Sequence, residues 1–317
     1  MARSKQPPQI HQLTIKQFEA MFPDENACCA YLVGKRWPKG VHCPRCGATE
    51  PKELKGNPWH WQCYQCAPQT SYRFSHITGT IFENTNKPLR DWFKVIHLIL
   101  TSKKGISARQ LWRYMGFGSL KTAWYMAHRV RVALVEEPEK LGGIVEVDET
   151  FVGGKFKNKH WDKRRGGDDA PPGGTPGGHY RTGGQASGKT IIAGVVKRKG
   201  SVVARVIDRV SADTLLNFVH ETVSHKVSLI CTDQGSWYRK LDGEYPHGTV
   251  DHSAGEYVVG AIHTNTIEGF WSIFKRGVVG TFHKVSKKYM PLYVAEFQFR
   301  YNNRENADIF GTAISGC

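Results

Sequence analysis

The chain has 317 residues, 40% of them hydrophobic, which is enough for two or three compact domains with buried cores. No run approaches the roughly 18 consecutive apolar residues that a bilayer crossing needs. The N-terminus, MARSKQPPQIHQ, lacks the apolar stretch of a secretion signal, so the expected setting is the cytoplasm, with no membrane contact. Lys and Arg number 44 against 28 Asp and Glu, and the formal charge of +16 points to a polyanionic partner, nucleic acid first.

Residues 15–33 carry apolar side chains at helical spacing (Phe18, Met21, Phe22, Cys29, Tyr31, Leu32) and predict two helices broken at Pro23. Two CxxC pairs follow, Cys43-Pro-Arg-Cys46 and Cys63-Tyr-Gln-Cys66, with 16 residues between them. Each pair turns tightly enough to aim two thiolates at one point, and two pairs complete a tetrahedron around one Zn²⁺. Four thiolates leave no open position for a substrate, so this zinc is structural. Gly47 suits a left-handed turn after the first pair, and the alternation around Trp59 and Trp61 reads as the short strands of a zinc ribbon. Cys28, Cys29, Cys231 and Cys317 have no such spacing and read as ordinary buried or terminal thiols.

From residue 86 the pattern is helical. Pro88 marks a start, residues 89–100 present a broad apolar face, and Gly105 ends the run. Ser107 and Ser119 are N-cap candidates for two further helices, separated by Gly116-Phe117-Gly118. A helix pair with a glycine turn is the pattern of a helix-turn-helix, whose second helix enters the major groove. Lys121, Thr122, Tyr125, His128, Arg129 and Arg131 on that helix are the expected DNA contacts.

Pro138 and Gly142-Gly143 mark a boundary. Residues 144–152 alternate as a strand that carries Asp148. Glu146 shares its face and Glu149 takes the opposite one; both read as solvated edge positions, with a supporting place behind the metal ligands as the alternative. Residues 190–196 and 202–207 predict two more strands. Ser211 caps a helix, residues 227–232 form a buried strand ending at Asp233, and residues 265–276 form a helix with Glu268. This order predicts an α/β, ribonuclease H-like domain, a mixed sheet flanked by helices. On such a sheet Asp148, Asp233 and Glu268 converge. Donors that are all oxygen suit two Mg²⁺ or Mn²⁺ ions and phosphodiester displacement. Residues 153–190 hold 11 glycines, three prolines and eight Lys or Arg, the composition of a mobile basic insertion, either a flap that orders on DNA or a solvated linker.

The stretches RWPKGVHCPRCG, ISARQLWRYMGFGSLKTAWYMAHRVR, VDETFVGGK, CTDQGSWY and HTNTIEGFWSIFKRGVVGTFHKVSKKYMPLYVAEFQFRYNNR carry a resemblance. The chain resembles insertion-sequence transposases of the DDE superfamily that have an N-terminal zinc ribbon, the ISXO2-like group, over residues 13–304. The 34 residues between Asp233 and Glu268 agree with that superfamily's spacing, and Lys275, seven residues after Glu268, matches its downstream basic position. The resemblance implies DNA cleavage and strand transfer at the inverted-repeat ends of a mobile element and into target DNA. It also implies a homo-oligomer on DNA in the nucleoid, and catalytic roles for Asp148, Asp233, Glu268 and Lys275. Some relatives place Asn in the third acidic position, which keeps Asn265 as an alternative. The implied domains are 1–85 for the first helices and the ribbon, 86–140 for the helix-turn-helix, and 141–317 for catalysis. A DNA-binding regulator would have lost an acid, and none is missing; a structure-selective nuclease would not need the DNA-reading head.

Overall fold

A computed structural model of the chain describes residues 13–66, 72–137, 139–153, 189–250 and 262–317. Two compact units emerge. One runs up to Val135 and includes Asn303–Cys317, and the other is Glu136–Asn302.

The first unit opens with helices α1 (Ile15–Met21) and α2 (Glu25–Arg36), with Pro23 at the break between them. Thr14 and Gln17 form a reciprocal capping box on α1, and Asp24 caps α2 by accepting from Ala27 N at 2.8 Å. Strands β1 (Lys52–Glu53), β2 (His60–Cys63) and β3 (Tyr72–Ser75) form an antiparallel sheet in that order. Helices α3 (Leu89–Thr101), α4 (Ala108–Met115) and α5 (Leu120–Ala133) follow. Ser107 and Ser119 cap α4 and α5 as their sequence positions predict, and Gly116 ends α4 in the left-handed conformation at φ 63°. Pro88 gives α3 no side-chain cap. Instead the Glu25 carboxylate on α2 accepts from Leu89 N and Arg90 N at 2.5 and 2.9 Å.

The last helix of the chain, Ile309–Ser315, completes this same unit. Its Phe310 ring lies 5.6 Å from Phe22 and 5.6 Å from Phe93, in an aromatic core shared with Phe18 and Tyr31. Residues 303–317 therefore do not continue the catalytic region as the reading of 141–317 expects. The buried face of Ile309, Phe310, Ala313 and Ile314 is covered within the first unit.

The second unit is built on a five-stranded sheet. Its strands are β4 (Leu141–Val152), β5 (Thr190–Lys197), β6 (Val202–Ile207), β7 (Val223–Asp233) and β8 (His247–Val250), in the order β6-β5-β4-β7-β8. Pairing is antiparallel on the β5 side of β4 and parallel on the β7 side. Helix α6 (Ala212–Thr222), capped by Ser211, covers one face with the 3₁₀ turn Ser236–Gly243. Helices α7 (Asn265–Arg276) and α8 (Met290–Asn302) cover the other. The period-two alternation sorts the residues cleanly. Val145, Val147, Ile191, Ala193 and Val195 pack under α6, while Val152, Ile192 and Val196 pack under α7. On the outer strand β6, Gln298 and Asn302 of α8 accept from Ala204 N and Val202 N at 2.9 and 2.7 Å, satisfying edge groups that would otherwise stay open. Most of the glycine-rich insertion, residues 154–188, lies outside the described residues. No helix among the described residues is long and apolar enough to cross a membrane.

Candidate active site and zinc site

The four CxxC cysteines meet. Their sulfur atoms lie within 4.8 Å of one another, with Cys43 and Cys66 at 3.8 Å and Cys46 and Cys63 at 3.7 Å. The first knuckle is held by Cys43 N to Ala48 O and by Gly47 N to Cys43 O, both 2.9 Å, and Gly47 takes φ 75° as the turn requires. The backbone N–H of Cys66, aided by that of Gln65, draws the Cys63 thiol down to about 7. Such N–H groups favour thiolate, the form that binds metal. Trp37, Trp61 and Phe74 pack around the two buried cysteines Cys43 and Cys63. This donor set fits one structural Zn²⁺.

The acids sit on the second unit. Glu146 on β4 pairs with Cys231 on the parallel strand β7. Two residues further along each strand stand Asp148 and Asp233, at equivalent positions and on the same sheet face, the one covered by α7. Glu268 and Lys275 lie two helical turns apart on α7. Burial, then the Glu149 and Glu268 carboxylates, push the Asp148 carboxyl up to about 7, and Lys275 acts in the opposite direction. Thr264 Oγ1 donates to Glu268 Oε1 at 3.1 Å. Among the described residues only the ribbon cysteines form a metal-sized cluster; the three acids are not drawn together that tightly, as expected of like charges. The acids nonetheless fit hard divalent cations. Every donor is an oxygen, and a desolvated carboxyl beside other carboxylates gains most from a cation.

Glu146 and Glu149 are not solvated edge residues. Strand β4 is central in the sheet with elements packed on both faces, which buries Glu146 fully and Glu149 in part. Glu146 is fully buried and accepts from Arg198 Nε at 2.8 Å, Thr266 Oγ1 at 2.8 Å, Thr266 N at 2.8 Å and Ile267 N at 3.0 Å. Glu149, on the opposite face, accepts from Tyr238 Oη at 2.5 Å. No local signal marks either acid, because the strand period gives the face a residue takes but not whether that face is covered.

On α5, Lys121 and Tyr125 are exposed and Thr122 is partly so. Trp124 and Tyr114 add exposed aromatic surface on α5 and α4. Arg129 is partly buried. It donates to Glu83 O at 3.2 Å and lies over the Trp92 and Tyr125 rings. Arg131 is only 2% exposed and His128 is buried with its ring 4.1 Å from Trp124. Arg131, expected to touch DNA, therefore does not belong to the exposed face; a guanidinium at that depth serves the interior.

Residues 23–69 match the transposase zinc-ribbon domain and residues 140–302, just over half of the chain, match the ISXO2-like transposase domain. The chain is similar to an uncharacterized protein in transposable element ISH50 of Halobacterium salinarum, 28% identical over 282 residues, which is 88% of this chain and 91% of that one. It is also similar to an uncharacterized transposase-like protein of Haemophilus influenzae, 32% identical over 108 residues, 34% of this chain and 85% of the relative. With the zinc ribbon ahead of it and the transposase domain spanning the whole acid-bearing sheet and its covering helices, the chain belongs to the ISXO2-like transposase family.

Proposed function

We propose that the protein binds the inverted-repeat ends of an insertion sequence and catalyses their metal-dependent cleavage and strand transfer into target DNA. Asp148, Asp233 and Glu268 hold two Mg²⁺ or Mn²⁺ ions in this reading. The observation that carries it is the equivalent placement of Asp148 and Asp233 on neighbouring parallel strands, with α7, the helix of Glu268, packed on the same sheet face and against Gly194 opposite Asp148. The strand order β6-β5-β4-β7-β8, antiparallel then parallel, supports a ribonuclease H-like domain. When bound, the ions supply Lewis-acid activation of the attacking water or 3′-hydroxyl and of the leaving oxygen.

The chain's own groups divide the remaining work. Asp148 and Asp233, on the covered sheet, and Glu268, on the covering helix, set where the phosphodiester must lie. Lys275 offers a cation on the Glu268 helix for the charge of the scissile phosphate. Glycine turn, serine caps and exposed Lys121, Thr122 and Tyr125 support a helix-turn-helix in which α5 reads DNA, with Arg129 bracing it from its partly buried position. Two copies acting on paired ends, in the cytoplasm on the nucleoid, complete the reading. In a gel assay on labelled element-end duplex with Mg²⁺, Asp148→Asn and Asp233→Asn should abolish cleavage and strand transfer while leaving gel-shift binding intact. Full activity in both variants rejects the proposal.

A further inference from the structure

Helix α7 begins without a cap of its own: Thr264, at its N-cap, makes no side-chain bond to the helix amides. The first-turn amides of Thr266 and Ile267 instead donate to Glu146 Oε2, at 2.8 and 3.0 Å, and the Thr266 hydroxyl donates to Glu146 Oε1 at 2.8 Å. The acceptor belongs to strand β4, two residues before Asp148 and on the same face. Arg198 extends the junction. It donates to Glu146 Oε1 through Nε at 2.8 Å, to His263 O through a terminal nitrogen at 3.0 Å, and to the Cys231 sulfur on β7 at 3.6 Å. His263 Nδ1 lies 3.2 Å from Glu146 Oε1. One buried carboxylate thus ties the Asp148 strand to the start of the Glu268 helix, and its arginine reaches the Asp233 strand.

We propose that Glu146 is a positioning residue that sets Glu268 against Asp148 and so tunes divalent-metal affinity, an inference that rests on the active-site reading above. A carboxylate is suited to this place because it offers only acceptors to a ring of donors. Its negative charge also faces the positive end of the helix dipole. Removing it leaves the N–H groups of Thr266 and Ile267 without their acceptor and lets the first turn, where Glu268 sits, shift or fray. A glutamine keeps the shape but turns an NH₂ group toward donors.

The test compares full-length wild type with Glu146→Gln, Glu146→Ala and Thr266→Val. Mn²⁺ affinity is measured by titration calorimetry, and amide exchange by mass spectrometry over the peptide that holds Thr266 and Ile267. Melting temperature and DNA binding are measured alongside. The expected result is at least about a tenfold loss of Mn²⁺ affinity in Glu146→Gln, the range seen when partners of metal ligands are removed. Faster exchange confined to the α7 start and near-normal DNA binding should accompany it, with Glu146→Ala more severe. Thr266→Val keeps the backbone donors and covers the case in which both Glu146 variants fail to fold; it should show a smaller loss in the same direction. Unchanged Mn²⁺ affinity in folded Glu146→Gln overturns the proposal. So does a Glu146 series that unfolds while Thr266→Val binds Mn²⁺ normally. If Asp148→Asn binds Mn²⁺ as well as wild type, the active-site reading itself has failed, and this inference falls with it.

Discussion

Gly194 stands opposite Asp148 in the β4–β5 pairing, and the Trp271 ring of α7 fills the space that a side chain at 194 would need. A Cβ there would lie 2.5 Å from Trp271 Cζ2 and 3.2 Å from Ile267 Cδ1. The glycine lets the helix carrying Glu268 come down onto the strand beside Asp148. Gly194→Ala should push α7 away, at a cost of about 1–3 kcal/mol typical of overpacking. Cleavage should fall by more than that loss of stability accounts for, since Glu268 moves with the helix. Trp271→Leu added to Gly194→Ala should restore part of both. Thermal melts and the cleavage assay on the two variants decide it, and normal activity in Gly194→Ala would show that α7 has slack.

Zinc removal tests the ribbon. Its apolar core is small, and two of its five most buried members are the ligands Cys43 and Cys63. A chelator strong enough to strip the metal should unfold residues around the three short strands, visible as a change in tryptophan fluorescence from Trp37 and Trp61. Metal analysis should return one zinc per chain before treatment. Cys63→Ser should mimic the chelator, because a serine oxygen is a poor replacement for the thiolate that the Cys66 and Gln65 amides prepare. A metal-free protein with unchanged fluorescence would mean that packing alone holds the ribbon.

What the sequence reveals and what it hides follow from how local the signals are. The caps at Ser107, Ser119 and Ser211, the left-handed Gly47, the turn at Gly116 and the start of α7 at Asn265 each depend on a few neighbouring residues. The CxxC pairs also announce their own partner by spacing. Glu146 could not be read this way, because its donors Arg198 and Thr266 are 52 and 120 residues distant. Its burial depends on a sheet position that only the assembled fold supplies. Arg131 and the closing helix Ile309–Ser315 fail for the same reason. A basic residue on a helix gives no sign of which side faces water, and an amphipathic C-terminal helix does not say which core it covers.

That difference between Lys121 and Arg131 gives a test of the DNA-reading surface. Lys121 is exposed on the first turn of α5, while Arg131, ten residues on, is buried. Lys121→Ala should weaken binding to element-end DNA and flatten its salt dependence by about 0.9 of a log unit per log unit of salt, the value for one lost phosphate contact. Its melting temperature should stay near wild type. Arg131→Ala should do the reverse, lowering the melting temperature first and DNA affinity only as folded protein is lost. A stable Arg131→Ala with a selective binding defect would move the DNA surface to that side of the helix.

Tyr238 should matter to the Asp233 end of the site. Its hydroxyl donates to Glu149 Oε2 at 2.5 Å, fastening the 3₁₀ turn that follows Asp233 to the strand that carries Asp148. Tyr238→Phe removes that bond and leaves Glu149, a carboxyl already pushed up by burial, with one donor fewer. The expected cost is about 1–3 kcal/mol, as for a buried group stripped of its partner, together with a raised Mg²⁺ requirement for cleavage. A Phe variant with wild-type stability and Mg²⁺ dependence would assign the contact no role.

The third acidic position separates two residues on one helix turn. Asn265 opens α7 and Glu268 lies three residues later, so both project from neighbouring parts of the same surface. Glu268 raises the Asp148 carboxyl through its charge and accepts from Thr264 Oγ1 at 3.1 Å, which orients it from the residue before the helix. Neutral Asn265 can offer a metal only its amide oxygen, a weaker donor than a carboxylate. Glu268→Gln should therefore lower cleavage and strand transfer by at least about a hundredfold, comparable to losing a ligand to the reacting charge. Asn265→Ala should retain activity within roughly tenfold, the lower range for an outer partner of a metal site. Replacing Mg²⁺ with Mn²⁺ sharpens the comparison, because Mn²⁺ binds such donors more tightly and should rescue a weakened site more than an absent ligand. Labelled element-end duplex, run with each ion for both variants, gives the answer directly. If Asn265→Ala is silent in cleavage and Glu268→Gln is active, the assignment reverses, and the helix presents its amide, not its carboxylate, to the metal.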